Sequence, residues 1–381
     1  MPIYAVKNVK KDGQQKYRVV YNYTDHNGEY KTIERTAYGK ANAKLKEEEL
    51  RIMTTKGSST GSMMTLDELF NEYIKAKSYE VRESSLDKTR RILKGHVLDT
   101  LGNKKIDKLF PSVLQEWKAN IEEIDSIKSV STKRGIFKEF HAMMNYAVKM
   151  DYIIVNPLDK VGNFKDAYAY KKEMLFYTPE EFRKFISAAR QCRDERAAKG
   201  DYTVQYYYMF FMIAFFTGMR KGEINALTWE DVSNGMISVR RSVNQKLKGG
   251  DRITPPKNAS SVRDIQIPNE LKTALDHHKE ICSKLPGFSE KMYICGGDMP
   301  IRDTSIAIMN NRFADMAGVK RIRIHDFRHS HASLLANNGI SIHEIARRLG
   351  HADIKMTLQI YSHLYPSETE RALRVLNEIK L

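Results

Sequence analysis

The sequence predicts a multidomain chain: a small β-sheet-plus-helix module first, an all-α domain next, and a mainly α (α+β) domain in the C-terminal half. Three observations predict this. At 381 residues the chain is too long for one ordinary core. Its texture changes near residue 55 from short β-like runs to helical periodicity, across the Gly/Ser/Thr-rich stretch Thr54–Ser62. Asn156-Pro157 then closes one helical region, and Thr178-Pro-Glu-Glu181 opens another with an N-terminal cap and proline at the first helical position. The expected division is 1–55, a linker at 56–64, 65–165 and 172–381.

Within the first module, Tyr4–Val9, Tyr17–Tyr23 and Tyr30–Ala37 read as strands separated by the hairpin signals Asp12-Gly13 and Asn27-Gly28, with a helix over Lys40–Met53. Such a sheet can place one face in a DNA major groove or serve as a generic protein-binding surface. Interleaved Lys7, Lys16, Arg18, Lys31 and Arg35 favour DNA. In the second domain Thr65-Leu-Asp-Glu68 fits a capping box opening Leu66–Lys77. Further helices are expected near Glu83–Leu98, Pro111–Ile121 and Ser131–Met150. Their Lys/Arg faces fit either solvated surface or a cradle for DNA.

In the third domain, Tyr206–Thr217 is apolar nearly all round and predicts a buried helix. Gly218-Met219 breaks it before Arg220, and a short helix runs on through Leu227. Strands are expected at 236–241 and 262–267, flanking a basic, polar insert at Gln245–Ser261, and helices resume from Asn269. There is no internal repeat, P-loop or dinucleotide glycine fingerprint.

Lys and Arg number 63 against 47 Asp and Glu, a net charge of +16 spread over every segment, which favours an extended polyanion over a single phosphate pocket. A 41% hydrophobic and 29% charged composition excludes a disordered chain. Cys192, Cys282 and Cys295 are odd in number and lack CxxC spacing, so they read as reduced thiols. The start is no signal peptide and the longest apolar run is too short for a bilayer, so a cytoplasmic protein is expected.

The chemistry concentrates in the last sixty residues. His325-Asp-Phe-Arg328 is followed by Leu349-Gly-His351 and, ten residues after that histidine, by Tyr361; Arg220 stands far upstream in Thr217-Gly-Met-Arg-Lys-Gly-Glu223. Two arginines, two histidines and a tyrosine suit cutting of a phosphodiester by a tyrosine hydroxyl. Guanidinium forks hold the non-bridging oxygens of a pentacoordinate phosphorus, and a histidine manages the phenol proton. His325 and Arg328 share one side of a helix beginning near Asp326, and Glu223 can brace a guanidinium from the face of Arg220. His325 and His329, at i and i+4, also admit a zinc reading, against which stand the missing HExxH glutamate and the lack of a nearby cysteine. His329 and His331 read as supporting or packing residues. Ile340–Leu349 reads as an amphipathic helix with Ser341 as its cap and Gly350 at its end.

In these motifs, their order and their spacing the sequence resembles the tyrosine recombinases, or phage-type integrases, over nearly its whole length. The resemblance implies a catalytic lysine on a β-hairpin and directs attention to Pro255-Pro-Lys257-Asn-Ala-Ser-Ser-Val-Arg263. Lys257 is the candidate, with Lys246 and Lys248 as neighbours, and Asn258 stands where a threonine commonly follows that lysine. It further implies that Tyr361 forms a 3′-phosphotyrosyl link, that Arg220, Arg328 and His351 hold the phosphate, that His325 is base or proton relay, and that Lys257 protonates the departing 5′-oxygen. The N-terminal module would read arm-type sites, and the other two domains would clamp core-type duplex DNA. The tail after Pro366, with Ala372, Leu376 and Ile379 at helical spacing, would dock on a neighbouring protomer of a homotetramer. No metal or cofactor is implied. An excisionase and a host DNA-bending protein are candidate accessory partners. A type IB topoisomerase and a non-catalytic DNA-binding regulator are the competing readings.

Overall fold

The computed structural model describes residues 3–11, 14–24, 30–55, 64–165, 174–245, 250–256, 259–361 and 376–378. Internal contacts divide the chain into two compact units, Met1–Tyr170 and Lys171–Leu381.

The first unit opens with β1 (Ile3–Lys11), β2 (Gln14–Thr24) and β3 (Tyr30–Tyr38), an antiparallel sheet in that order, followed by α1 (Lys40–Thr55). Val19 and Ala37 on the sheet meet Ala43 and Leu50 of α1 in a small core flanked by Tyr17, Tyr21 and Ile33. Strand alternation therefore turns Lys16 and Arg18 to the opposite face, where Arg18 pairs with Glu34 at 2.6 Å. Lys31 and Arg35 share the phase of Ile33 and Ala37, so the expected basic set is split between the two faces. The Lys7 side chain and both expected turns, Asp12-Gly13 and Asn27-Gly28, lie outside the described residues, as do residues 56–63 of the expected linker.

Next come α2 (Leu66–Ser78), α3 (Glu83–Leu93), α4 (Pro111–Glu123) and α5 (Val130–Lys149). The capping box at Thr65 forms: Glu68 accepts from the Thr65 amide at 2.7 Å, and the Thr65 hydroxyl accepts from the Glu68 amide at 3.3 Å. The expected helix to Leu98 loosens into a π-turn over Lys94–Leu98, which contains Gly95. Leu69, Phe70, Leu114, Trp117, Phe137 and Phe140 fill the core, and the Trp117 indole donates to the His96 carbonyl at 2.8 Å.

The second unit begins with α6 (Pro179–Ala197), capped by a formed Thr178–Glu181 box, and α7 (Thr203–Thr217). As its all-round apolarity requires, α7 is buried along most of its length, with Phe211 against Phe185 and Phe327, and Phe215 stacked on Phe182 at 3.7 Å. After the short α8 (Lys221–Ile224) come β4 (Val232–Ser233), β5 (Met236–Val239), β6 (Ser242–Asn244), β7 (Arg252–Thr254) and β8 (Arg263–Gln266). β5 pairs with both β4 and β8, and β6, just before the region expected to be a polar insert, pairs with β7 inside it. Strands of three residues leave no alternation to read. Helices α9 (Asn269–Ser283), α10 (Asp303–Ala317), α11 (Asp326–Asn337), α12 (Ile342–Leu349) and α13 (Ile354–Tyr361) follow. Among the described residues no helix is long and apolar enough to cross a membrane.

Candidate active site

Two tight turns and one helix carry the site. Gly218 ends α7 in the left-handed conformation at φ 64°, where a Cβ would come within 2.8 Å of His331 and Leu349. After Met219 comes Arg220 as the cap of α8. Its amide donates to Glu223 Oε2 at 3.0 Å and its Nη1 to Glu223 Oε1 at 2.9 Å. Gly350 ends α12 in the same way at φ 67°, where a Cβ would stand 3.0 Å from Arg263 Nη1, and His351 comes next.

Arg328 on α11 ties the turns together. It is 3% exposed, and its two terminal nitrogens donate to the Gly218 carbonyl at 2.8 Å and the Leu349 carbonyl at 2.7 Å. Arg220 Nη2 reaches the Gly350 carbonyl at 3.3 Å. The phosphate-holding candidates Arg220, Arg328 and His351 are therefore drawn from three separate segments into one place. Burial, and then the neighbouring Arg220, push the Arg328 pKa down to about 9, which leaves it charged at neutral pH.

Glu223, 3% exposed, is held from both sides: Arg263 Nη2 donates to its Oε2 at 3.0 Å while Arg220 takes Oε1. Burial alone would raise its pKa, but Arg263 and Arg220 outweigh that and hold it below the ordinary carboxylate range. Arg263 also donates to the Arg348 carbonyl at 2.7 Å and the Ser261 carbonyl at 2.9 Å. The sequence reading assigned Arg263 no role, although one signal was there. It shares the inward phase of its strand with Ile265 and Ile267, and a basic residue in an apolar phase demands a buried partner.

His351 is half-buried, and its Nδ1 lies 2.6 Å from the hydroxyl of buried Thr357. Burial and the nearby Arg328 and Arg220 hold its pKa down to about 4, so the ring is neutral at pH 7. With Nδ1 engaged by Thr357, the Nε2 edge is the one left to meet a ligand.

Tyr361, at the end of α13, is 1% exposed and packs among Ala332, Ala336, Ile345 and Leu349. Burial raises its phenol pKa above the ordinary tyrosine value. Its hydroxyl lies 2.6 Å from Nδ1 of His329, the histidine expected to play only a supporting or packing part. His325 stands one ring further, edge-on to His329 with centroids 5.1 Å apart. The His325 pKa is held down to about 4 by the protein packed around it and by His329 and Arg328. Buried His331 places Nδ1 2.9 Å from the Phe215 carbonyl and its ring against Gly218, a packing role. Lys257, Lys246 and Lys248 lie outside the described residues. No group of three or more His, Cys, Asp or Glu among the described residues is arranged to hold a metal ion.

Residues 176–368 match the phage integrase family, and residues 65–120 match the phage integrase N-terminal SAM-like domain. The chain is 30% identical over 320 residues to the ICEBs1 integrase of Bacillus subtilis, covering 82% of each protein. It is 26% identical to a protein named tyrosine recombinase XerC-like from Caldanaerobacter subterraneus, covering 98% of each. In three dimensions it is similar to the Tn1549 transposon integrase in complex with a circular intermediate DNA. That match has a TM-score of 0.64 and 23% identity, and covers 82% of this chain and 98% of the other. The chain belongs to the phage integrase family, the tyrosine recombinases that cut and rejoin DNA at specific sites.

Proposed function

We propose that this recombinase integrates and excises a mobile element through a 3′-phosphotyrosyl intermediate and a Holliday junction. The observation that carries the reading is the convergence of Arg220, Arg328 and His351 where the two glycine turns meet, close to a buried tyrosine. Two guanidiniums repel each other there unless an anion lies between them, and a phosphate supplies it. Arg220 and Arg328 hold the non-bridging oxygens, and neutral His351 donates a third hydrogen bond. Tyr361 attacks phosphorus, the bond to the 5′-oxygen breaks, and Lys257 delivers a proton to that oxygen. His325 stands in the path by which the phenol proton leaves. The tyrosyl ester retains the bond energy, so a 5′-hydroxyl from a partner duplex reseals the strand without a nucleotide cofactor.

The remaining assignments follow the family resemblance. Residues 1–55 read arm-type sites, 65–165 bind the core-type site and 172–381 perform the chemistry, in a homotetramer assembled on DNA in the bacterial cytoplasm through the C-terminal tail. Lys16 and Arg18, on the sheet face turned away from α1, support the first of these assignments. Excisionase and a host DNA-bending protein are its proposed accessory partners.

The test uses a suicide substrate with a nick beside the element's own core site, incubated in EDTA with the wild type and Tyr361→Phe. A band shifted on a denaturing protein gel for the wild type alone is expected. DNA binding without an adduct from either protein would overturn the reading in favour of a regulator.

A further inference from the structure

The nucleophile's proton needs an acceptor, and among the described residues His329 is the one hydrogen-bonded to it. Tyr361 is sealed from water, and its hydroxyl meets His329 Nδ1 at 2.6 Å. We propose that His329 takes the proton from the Tyr361 hydroxyl during cleavage and returns it to the tyrosyl oxygen during rejoining. This rests on the proposed function, in which Tyr361 is the nucleophile.

The balance is simple. As Tyr361 Oη bonds to phosphorus its proton passes to Nδ1, the bond to the 5′-oxygen breaks, and that oxygen takes a proton from the acid on the far side. In the reverse step the imidazolium protonates the departing phenolate, so the same ring serves both directions. The surroundings fit. The ring is faced by Tyr361 from α13, by His325 and Arg328 from α11 and its cap, and by Asp326 and Arg323 at the start of that helix. Burial, with Arg323 and Arg328, lowers the His329 pKa, so the ring is neutral and able to accept at pH 7. Asp326, which is buried and chelated by Arg323, is the negative charge that favours the imidazolium once it forms. His325, edge-on at 5.1 Å, lies beside the base and does not touch the hydroxyl through any described contact.

The sign of the pH dependence follows. The wild-type cleavage rate is flat above the His329 pKa, which lies below the ordinary 6.5 of histidine, and falls as pH drops through it. Without the base, hydroxide must do the work, and the rate climbs by about tenfold per pH unit.

The experiment measures single-turnover adduct formation on the suicide substrate, and rejoining by an added 5′-hydroxyl strand, for the wild type, His329→Ala and His329→Asn. Asparagine offers an oxygen near the place of Nδ1, so it keeps the hydrogen bond but cannot take a proton. If His329 is the base, both variants lose at least about 100-fold in both directions while binding DNA as before. Their rates then rise with pH as stated. Placing 3,5-difluorotyrosine, a more acidic phenol, at position 361 should recover much of the His329→Asn loss. Wild-type rates in His329→Asn would overturn the proposal, because the contact would then only position the tyrosine. Faster cleavage in either variant would overturn it in favour of a latch that stores the nucleophile. Failure of the fluorinated phenol to recover the rate, or a variant pH profile parallel to the wild type, would also overturn it. Absence of any Tyr361-dependent adduct from the wild type would instead fail the functional reading beneath it.

Discussion

Two polar clusters, one in the helical region and one at the catalytic site, handle charge in opposite ways. In the helical region half-buried Glu72 accepts the hydroxyls of Tyr146 and Tyr152, each at 2.8 Å. Glu139 takes Lys77 at 3.1 Å and the Thr89 hydroxyl at 3.0 Å. Burial, and then Glu72, push both phenols up to about 12, so they stay protonated as donors. Both carboxylates find donors inside the region, and Lys77 balances the charge of Glu139 there. At the catalytic site Arg328 stands near two further guanidiniums, Arg220 and Arg263, the carboxylate Glu223 and the Tyr361 phenol. Three guanidiniums against one carboxylate leave an excess of positive charge that backbone carbonyls solvate but do not neutralise. A closed network stabilises a fold, whereas a network short of anions waits for one.

The largest effect should come from the residue that most depends on that missing anion. Arg328→Lys keeps a positive charge but loses the fork that spans the Gly218 and Leu349 carbonyls and the phosphate. Loss of about 3–4 kcal/mol of transition-state stabilisation, roughly 10²–10³-fold in adduct formation, is expected. DNA affinity should change little, which filter binding alongside the suicide-substrate assay would check. An equal loss of binding and cleavage would mean that Arg328 serves ground-state affinity and would break the comparison.

Arg263 sharpens it from the other side, because it satisfies Glu223 so that Arg220 need not be fully consumed in doing so. Arg263→Met leaves a buried carboxylate with Arg220 as its remaining side-chain partner. A stability loss of about 3 kcal/mol, near the low end for a broken buried pair, should appear in thermal or urea melts. Reverting the charge imbalance with Glu223→Gln in the Arg263→Met background should recover part of that loss without restoring cleavage. No recovery would show that Arg263 acts by packing, and not by pairing.

Much of this was legible in the chain because it is local. The Asp-Gly and Asn-Gly dipeptides announced three strands, and the Thr65 box and the Thr178 cap announced two helix starts that the structure contains. The apolar run ending at Thr217 announced the buried α7. What stayed hidden depends on partners far apart in sequence. Arg263 makes sense only against Glu223, 40 residues earlier, and the Arg348 carbonyl, 85 residues later. His329 was read as a supporting or packing residue because its partner, Tyr361, is 32 residues away on another helix. The β6–β7 hairpin was missed because three-residue strands hold no pattern.

The smallest effect is the one that tests the closed cluster. Glu72→Gln keeps the shape and leaves one amide oxygen to accept from two hydroxyls, replacing a charged acceptor with a neutral one. Hydrogen bonds to a charged group are worth more than neutral ones, so a destabilisation of about 1–2 kcal/mol is expected from melts. Both phenols should also become more acidic, because the charge that opposes their ionisation has gone. An ultraviolet titration of tyrosinate would show the two rising transitions move to lower pH. The rate of adduct formation on saturating DNA should stay at the wild-type value, since the hydroxyls that Glu72 holds belong to its own unit. If Glu72→Gln slowed that step as Arg328→Lys does, the two clusters would be parts of one device, and the contrast between a satisfied network and a waiting one would fail.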